Sequence, residues 1–304
     1  MSEIVFSCVI PCSAKDFESQ KLKDLISSIK AQDFPQDKIE ILTITEGDSE
    51  QAKGIGIRRA KGEICAMFCA DNMLTDSNLF KTVFERWKNG SKAIFTYSYD
   101  WVKSDNSLNR YFSLIGGNDP VCYYLGKNDR SPWVESLKIR NHNYLPSHGC
   151  NGTFYDTETI RKTDLDNYYP MDNALETNID FDAIYSWGIW HRTSDNLITF
   201  LTKRYKYARD LYSNRANRRW KILDTREDYW RLLFFIFSTI TIAPSVFVSI
   251  RGFSRLRDWA WAWHWPVCVG FLITYGVLTL RNIFVRLLSR RWADLNPFAP
   301  LSKA

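Results

Sequence analysis

Short apolar runs alternate with helical patterns over the first hundred residues of this chain. Leu22, Leu25, Ile26 and Ile29 recur at helical spacing, with polar residues between them. Four apolar runs predict strands: 4–11, 39–45, 63–70 and 93–97. Helices are predicted between these runs: 19–32, 51–61 and 76–88. This alternation predicts an α/β fold with a mostly parallel, doubly wound sheet.

Two acidic residues come directly after predicted strands. Glu46 follows the second strand and Asp71 follows the third. In sheets of this type, ligands bind beyond the carboxyl ends of the strands, so a binding site is expected there. Turns also favour Asp and Asn, and a simple turn cap is therefore the alternative interpretation of Asp71 and Asn72.

Positive charge is concentrated between Lys203 and Arg231. The whole chain carries a net charge of +6, and this segment alone holds ten basic and four acidic residues, an excess of six. Because the segment precedes a long apolar run, we expect it to meet lipid phosphate and not nucleic acid.

The seven Cys residues are scattered along the chain in odd number, which favours a reducing compartment over a disulfide framework. Cys8/Cys12 and Cys65/Cys69 share a spacing of four, but each pair lies in or beside an apolar strand-like run. There Cys behaves as a small hydrophobic residue, so we expect no metal at these pairs.

Two segments in the last third of the chain are almost free of charge. Residues 232–250 contain no charged side chain, and in residues 259–280 His264 alone can carry a charge, when it is protonated. About 20 apolar residues cross a bilayer, so both segments are predicted transmembrane helices. Four Trp residues between 259 and 265 are typical of an interfacial belt. A buried hairpin and a re-entrant segment bent at Pro244 remain alternatives.

The order of five short motifs resembles that of a family-2 glycosyltransferase with the GT-A fold, over about residues 4–220. The matching motifs are Val9–Ile10–Pro11, Thr45–Glu46–Gly47–Asp48, Ala52–Lys53–Gly54–Ile55–Gly56, Ala60–Lys61–Gly62–Glu63 and Cys69–Ala70–Asp71. The family carries Asp-x-Asp at the last motif, and here Cys69 replaces the first Asp. The segment from Asp48 to Ala52 is also shorter than usual for the family.

The resemblance implies a nucleotide-sugar donor and a divalent metal, Mg²⁺ or Mn²⁺. Asp71 would hold the metal, with Asn72 as a possible helper, and the metal would neutralise the leaving diphosphate. The residues expected to bind the donor, with Asp71, are Pro11, Cys12, Glu46, Asp48, Lys53, Arg215, Arg218 and Arg219. The three Arg residues suit phosphate, although anchoring on anionic headgroups is an equal alternative.

The acceptor side is expected in the second half of the predicted domain. Residues 147–156 resemble the Gly-rich acceptor segment of the family. Residues 172–188 place acidic side chains ahead of a helix predicted to end near Gly188, and Glu176 is the first candidate for a general base. Asp180, one helical turn later, is the second. Acids favoured at a helix N-terminus by the helix dipole are the structural alternative.

These features predict three regions. Residues 1–228 would form a cytoplasmic GT-A domain, residues 229–292 a membrane segment with helices at 232–250 and 259–280, and residues 293–304 a short tail. The expected protein is an integral membrane, inverting glycosyltransferase that moves a sugar, UDP-linked in the simplest case, to a lipid-linked polyprenyl acceptor. Alternatives are a polyprenyl-phosphate sugar synthase and an inactive GT-A binding subunit.

Overall fold

A central β-sheet is the main element of the structure. The computed structural model describes residues 3–14, 16–97, 99–128, 136–139, 151–214 and 217–288. Its strands are β1 (Phe6–Pro11), β2 (Ile39–Ile44), β3 (Ile64–Met67), β4 (Asn72–Leu74), β5 (Ala93–Tyr97), β6 (Ser136–Ile139), β7 (Thr153–Asp156) and β8 (Phe181–His191). The strand order is β2-β1-β3-β7-β5-β8-β4, and β6 also pairs with β8.

Strand directions define one functional edge of this sheet. β1 pairs in parallel with β2 and β3, and β5 pairs in parallel with β8. β7 lies antiparallel between β3 and β5, so these five strands all point the same way. We call the edge where β1, β2, β3, β5 and β8 end the carboxyl edge, and the opposite one the amino edge. The four strands predicted from the sequence are confirmed.

Helices connect these strands and continue beyond them. They are α1 (Gln20–Lys30), α2 (Ser49–Arg59), α3 (Leu79–Lys88), α4 (Ser107–Ile115), α5 (Pro120–Leu125), α6 (Thr157–Arg161), α7 (Pro170–Thr177), α8 (Leu197–Asn214), α9 (Arg226–Thr241), α10 (Ala243–Arg255) and α11 (His264–Leu288). The predicted helices α1 to α3 are confirmed. In α1, Leu22, Leu25 and Ile29 are buried, as their spacing predicts.

The helix predicted to end near Gly188 is wrong, because β8 occupies that segment. α7 stops at Thr177, and Asn178 closes it in the left-handed conformation with φ of 51°. The following residues are rich in Ile, Phe, Tyr and Trp, which favour strands.

The chain divides into two compact units. The first comprises residues 1–102 and 127–192, and the second residues 103–126 and 193–304. The first holds the sheet with α1, α2, α3, α6 and α7. The second groups α4, α5 and α8 with the hydrophobic helices, because α5 packs on α9 and α11, and α8 packs along α11. The units therefore do not divide at residue 228, where the sequence placed the boundary. Residues 293–304 lie outside the described residues.

Aromatic rings fill the core of the first unit between the sheet and its helices. Phe6 of β1 lies 4.6 Å from Phe80 of α3, and Phe68 lies 5.8 Å from Phe154 of β7, between ring centroids. All four side chains are fully buried, and each contributes about 2 kcal/mol by leaving water. Cys8 and Cys65 are buried among the same strands as free thiols, which fits their expected hydrophobic role.

The hydrophobic helices differ from two straight spans. In the described residues, the segment Trp259–Val285 is long and apolar enough to cross a membrane. The helices α9 and α10, by contrast, meet at an angle of 93°. The bend lies at Ile242, two residues before Pro244, so the straight helix predicted for residues 232–250 does not form.

Candidate active site

Asp71 lies at the carboxyl edge, in the tight turn that joins β3 to β4. The Asn72 backbone N–H donates to the Cys69 carbonyl at 2.9 Å, and the Cys69 N–H donates to Asn72 Oδ1 at 2.9 Å. Asn72 is fully buried. Its amide oxygen therefore holds the turn together, which leaves Asp71 as the side chain presented at this edge.

His191 meets Asp71 across the sheet. β4 pairs antiparallel with the end of β8, with Asn72 opposite His191. This register places His191 Nε2 3.3 Å from Asp71 Oδ1. The Asp71 side chain is 34% exposed and that of His191 is 9% exposed, so the pair opens to solvent on the carboxylate side. The ring of Tyr99 lies against His191, with centroids 5.1 Å apart.

The site favours the ionised form of Asp71. Burial alone would raise the pKa of this carboxyl. The charge of His191, a hydrogen bond from its ring and the charge of Lys21 outweigh burial, and the pKa of Asp71 lies below its ordinary value. Asp71 is therefore an anion at neutral pH, ready to bind a cation.

Lys21 is held near this anion by the first turn of α1. Its Nζ donates to the Arg192 carbonyl at 3.1 Å, and Arg192 donates back to the Lys21 carbonyl at 3.2 Å. Arg192 also pairs with Asp24 at 2.7 Å. These contacts fasten α1 to the end of β8 and keep positive charge beside Asp71.

The Asp71–His191 pair fits two adjacent positions around a divalent metal. Two ligands about 2.1 Å from an octahedral ion, at a right angle, lie about 3.0 Å apart. The observed separation of 3.3 Å is close to that value. A nitrogen–oxygen pair suits Mn²⁺ better than Mg²⁺, which prefers oxygen alone. Among the described residues, no group of three or more His, Cys, Asp or Glu could hold a metal, so phosphate and water would complete the shell.

Glu46 and Asp48 follow β2. Because β1 lies between β2 and β3, β2 is two strand spacings, about 10 Å, away from β3. Glu46 pairs with Arg59 at 2.6 Å. That hydrogen bond, with the Arg59 charge, lowers the pKa of the Glu46 carboxyl. Asp48 caps α2, because its carboxylate accepts from the backbone N–H groups of Glu50 and Gln51, both at 2.9 Å.

The other predicted donor residues of the first unit lie near the same edge. Pro11 ends β1, and the Cys12 N–H donates to the Ile44 carbonyl at 2.9 Å. The Cys12 side chain is buried. Lys53 is also buried, in α2, where its Nζ pairs with Glu50 at 2.8 Å.

The structure does not bring Glu176 and Asp180 to Asp71. Asp180 immediately precedes β8, and Asp182 pairs with Ile94 near the start of β5, so this is the amino edge. Asp71 meets the opposite end of β8. β8 has 11 residues, and a bulge in its middle shortens it. At about 3.3 Å per extended residue, the two ends of β8 therefore lie roughly 25 Å apart. Glu176, in the last turn of α7, accepts from the Asp164 N–H at 3.2 Å.

Asp100 is a carboxylate at the carboxyl edge that the sequence did not single out. Its N–H donates to the Ile189 carbonyl at 2.8 Å, two residues before His191. Its side chain packs on Gly188, where an added Cβ would lie 2.3 Å from Asp100 Cβ. Gly188 is therefore needed for this close approach. Asp100 was missed because β8 was not predicted, and without β8 nothing connects residue 100 to residue 191.

The start of β7 also lies at this edge. Gly152 has φ of 72°, and an added Cβ would lie 2.2 Å from Thr96 Oγ1. Gly152 therefore allows a close approach to β5 of the same chain. Residues 147–150 of the predicted acceptor segment lie outside the described residues.

The predicted phosphate-binding Arg residues are not in the sheet unit. Arg218 and Arg219 belong to the second unit, between α8 and α9. Arg218 lines a small cavity there with Tyr212 and Trp220. Arg215 lies outside the described residues.

Sequence comparison finds no match to this chain among protein-family models, and none among curated proteins. Solved structures do match. The mannosyltransferase PcManGT from Pyrobaculum calidifontis, in complex with GDP-Man and Mn²⁺, is 12% identical, with 90% of this chain and 86% of that chain covered and a TM-score of 0.51. Residues 1–349 of S. aureus TarS, in complex with UDP-GlcNAc, are 14% identical, with 97% and 89% covered and a TM-score of 0.45.

The likeness to the mannosyltransferase shows a shared fold. The expected α/β, GT-A-like architecture is thereby confirmed, with five strands running in one direction around an antiparallel β7. At this identity the comparison concerns fold alone, so activity has to be argued from the site.

Proposed function

We propose that this protein is a glycosyltransferase that transfers a sugar from a nucleotide-sugar donor. The observation that carries the proposal is the Asp71–His191 pair, 3.3 Å apart at the carboxyl edge of a GT-A-like sheet. Ligands of open α/β sheets bind at this edge. The fold neighbour PcManGT was solved with GDP-Man and Mn²⁺, which supports a nucleotide sugar and a divalent metal here.

Asp71 and His191 would hold Mn²⁺ or Mg²⁺ in this site. Such an ion, when bound, neutralises charge on the departing nucleoside diphosphate. Asp71 would contribute an anionic oxygen. His191 would contribute Nε2 after losing the proton that it shares with Asp71 in the metal-free protein, and its position at the end of β8 fixes the ring. Lys21 adds a positive charge beside the same phosphates.

The nucleoside part of the donor would lie along the ends of β1 and β2. Pro11 and Cys12 offer backbone groups, and Glu46 offers carboxylate oxygens held by Arg59. Asp48 caps the N-terminus of α2, and Lys53 lies in the first half of that helix. Asp48 would contribute by fixing the helix N-terminus, whose backbone N–H groups favour phosphate. The identity of the base would depend on contacts within this pocket.

The acceptor hydroxyl needs a base near the metal pair, and Asp100 is better placed than Glu176 or Asp180. Asp100 lies at the carboxyl edge beside β8, whereas Asp180 lies at the amino edge and Glu176 in the helix leading to it. Asp100 would remove the hydroxyl proton as the oxygen attacks the anomeric carbon from the face opposite the diphosphate, with inversion. An acceptor phosphate, as in a polyprenyl-phosphate sugar synthase, would not need this base.

A lipid-linked acceptor is proposed because the second unit carries apolar helices of the kind found in membranes. The segment Trp259–Val285 is long and apolar enough to span a bilayer. A sheet unit on the cytoplasmic face would meet nucleotide sugars there. Arg218 and Arg219 would lie near phosphate, either of the lipid carrier or of anionic headgroups.

The test is transfer of label from a panel of nucleotide sugars into lipid extract by the full chain in detergent, with Mn²⁺ or Mg²⁺. We expect transfer that is lost with EDTA and in Asp71→Ala, and retained in Asp180→Asn as the matched carboxylate control. Transfer that survives both EDTA and Asp71→Ala would contradict the role of Asp71.

Cys69 in place of an Asp favours one second candidate, an inactive domain that binds nucleotide sugar without turnover. In that case the folded chain would bind a donor by calorimetry, with the affinity reduced in Asp71→Ala, and no lipid extract would take up label.

A further inference from the structure

The uncharged part of the bent helix pair formed by α9 and α10 is too short to cross a bilayer. It consists of two arms, residues 232–241 and residues 243–250. At 1.5 Å per residue these arms are about 15 Å and 12 Å long. Because they meet at 93°, their outer ends lie only about 20 Å apart. The hydrocarbon core is about 30 Å thick, so the uncharged part of the pair does not reach across it.

The outer surface of this bend is apolar on both arms. Its exposed side chains are each between 42% and 67% exposed: Leu233, Phe234, Phe237, Ile240, Ile242, Val246, Phe247 and Ile250. A contiguous apolar surface of this extent marks an interaction with an apolar environment. The bend itself, at Ile242, lies in the middle of that surface.

Three carbonyl groups before the bend have side-chain partners within the protein. Ser245 Oγ donates to the Ser238 carbonyl at 3.0 Å, and Trp265 Nε1 donates to the Thr239 carbonyl at 3.0 Å. The exposed Thr241 turns its hydroxyl back to the Phe237 carbonyl at 2.8 Å. An interrupted helix is tolerated in hydrocarbon only when its freed backbone groups find such partners.

A buried hydrogen-bond network fixes the inner side of the bend. Tyr124 Oη lies 3.0 Å from Ser238 Oγ and 3.1 Å from His264 Nε2. His264 Nδ1 lies 3.0 Å from Tyr111 Oη. The bend is therefore held against α4, α5 and the start of α11, and its apolar face points away from them.

Positive charge follows the second arm, and an exposed Trp flanks each arm. After the second arm lie Arg251, Arg255 and Arg257, all exposed. Before the first arm Arg231 is paired with Glu227 at 2.6 Å, so its charge is already balanced. Trp230 and Trp259 are 61% and 80% exposed. Arg residues attract anionic headgroups, and Trp prefers the headgroup level.

We infer that the α9–α10 bend is a re-entrant membrane segment that enters and leaves a single leaflet from the same side, with Arg251, Arg255 and Arg257 on anionic lipid headgroups. If both arms slope equally, the bend reaches about 10 Å below the interface, within a leaflet about 15 Å deep. The inference rests on the membrane attachment proposed above and is independent of sugar transfer. The bend then adds no crossing to that of Trp259–Val285.

The decisive test is the sidedness of the two flanks. Asp224→Cys and Ser254→Cys, exposed and outside the contacts above, are made singly in the full chain. Membrane vesicles of known orientation are labelled with an impermeant maleimide before and after detergent, and labelling of the unsubstituted chain is subtracted.

We expect the same ratio of labelling before and after detergent at both positions, whether both are accessible or both protected. One position accessible and the other protected would overturn the inference, because the pair would then span. Recovery of the chain in the soluble fraction would also overturn it, while leaving the transfer assay to judge the proposed function separately.

Headgroup binding is tested by flotation with vesicles of phosphatidylcholine alone or mixed with phosphatidylglycerol. Reversing Arg251, Arg255 and Arg257 to Glu is expected to weaken binding to the mixed vesicles at least tenfold, since each basic residue near an anionic surface contributes about 1 kcal/mol. The control reverses Lys81 and Lys88, on α3 of the sheet unit. Equal flotation of the Arg variant and the control would overturn the role of the headgroups.

Discussion

His191 Nε2 lies 3.3 Å from Asp71 Oδ1, although 120 positions separate the two residues in the sequence. The contact depends on β4, a strand of three residues that pairs with the end of β8. We have proposed that this carboxylate and imidazole, which meet at the carboxyl edge, bind a divalent metal together with the donor phosphates.

Replacing His191 tests this pair more selectively than replacing Asp71. His191→Gln keeps a side chain of similar reach but exchanges the ring nitrogen for an amide. We expect the Mn²⁺ concentration for half-maximal transfer to rise at least tenfold, with maximal activity at saturating Mn²⁺ largely retained. Metal titrations of the assay provide the measurement. An unchanged titration would contradict ligation by His191.

Asp100→Asn tests the proposed base. Loss of a general base typically costs a factor of about 100 to 10,000 in rate. We therefore expect kcat to fall by at least 100-fold with the KM for the donor nearly unchanged. Glu176→Gln is the matched control, and should keep wild-type activity. The reverse pattern would return the role of base to Glu176.

The lowered pKa of Asp71 predicts a pH-dependent stability difference. Because the folded-state pKa lies below the ordinary value of 3.8, the ionised carboxylate stabilises the fold at neutral pH. That contribution is fully present above about pH 4 and is lost as pH falls through the lowered pKa. Without metal, Asp71→Asn should therefore unfold at lower temperature than wild type at pH 7, and the difference should shrink below pH 4. A difference independent of pH would contradict this origin.

Gly188→Ala tests the contact that positions Asp100. The new Cβ would lie 2.3 Å from Asp100 Cβ, so either β8 or the segment after β5 that carries Asp100 must shift. Overpacking of this kind costs about 1 to 3 kcal/mol, and displacement of Asp100 should lower kcat as well. Denaturant unfolding and the transfer assay measure the two effects. Gly276→Ala, with open space around it in α11, should be neutral or slightly stabilising.

The local parts of the fold could be predicted from the sequence. The apolar run of β1 and the spacing of Leu22, Leu25 and Ile29 in α1 follow from the periodicity of strands and helices. Asp71 at the end of β3 follows from the same reasoning with the geometry of parallel sheets.

The missing parts depend on contacts between distant segments. β8 was read as a helix because acidic residues precede it, and that error hid both His191 and Asp100. The sequence offered a bend at Pro244 as an alternative, and the observed bend at Ile242 lies two residues before it. What the sequence does not show is that Ser238 and Ser245 lie within hydrogen-bond distance of Tyr124, more than a hundred residues away. Local patterns carry no signal for such pairings.

The position of β7 has a consequence for how the chain assembles. β7 joins β3 to β5, yet its residues 153–156 are made long after both neighbours. Until they emerge from the ribosome, β3 presents an unpaired edge of backbone donors and acceptors. Strand pairings between segments so far apart in sequence are slow to form. We therefore expect the nascent chain to aggregate most readily, and to depend most on chaperones, after β5 has been made and before β7 has been made.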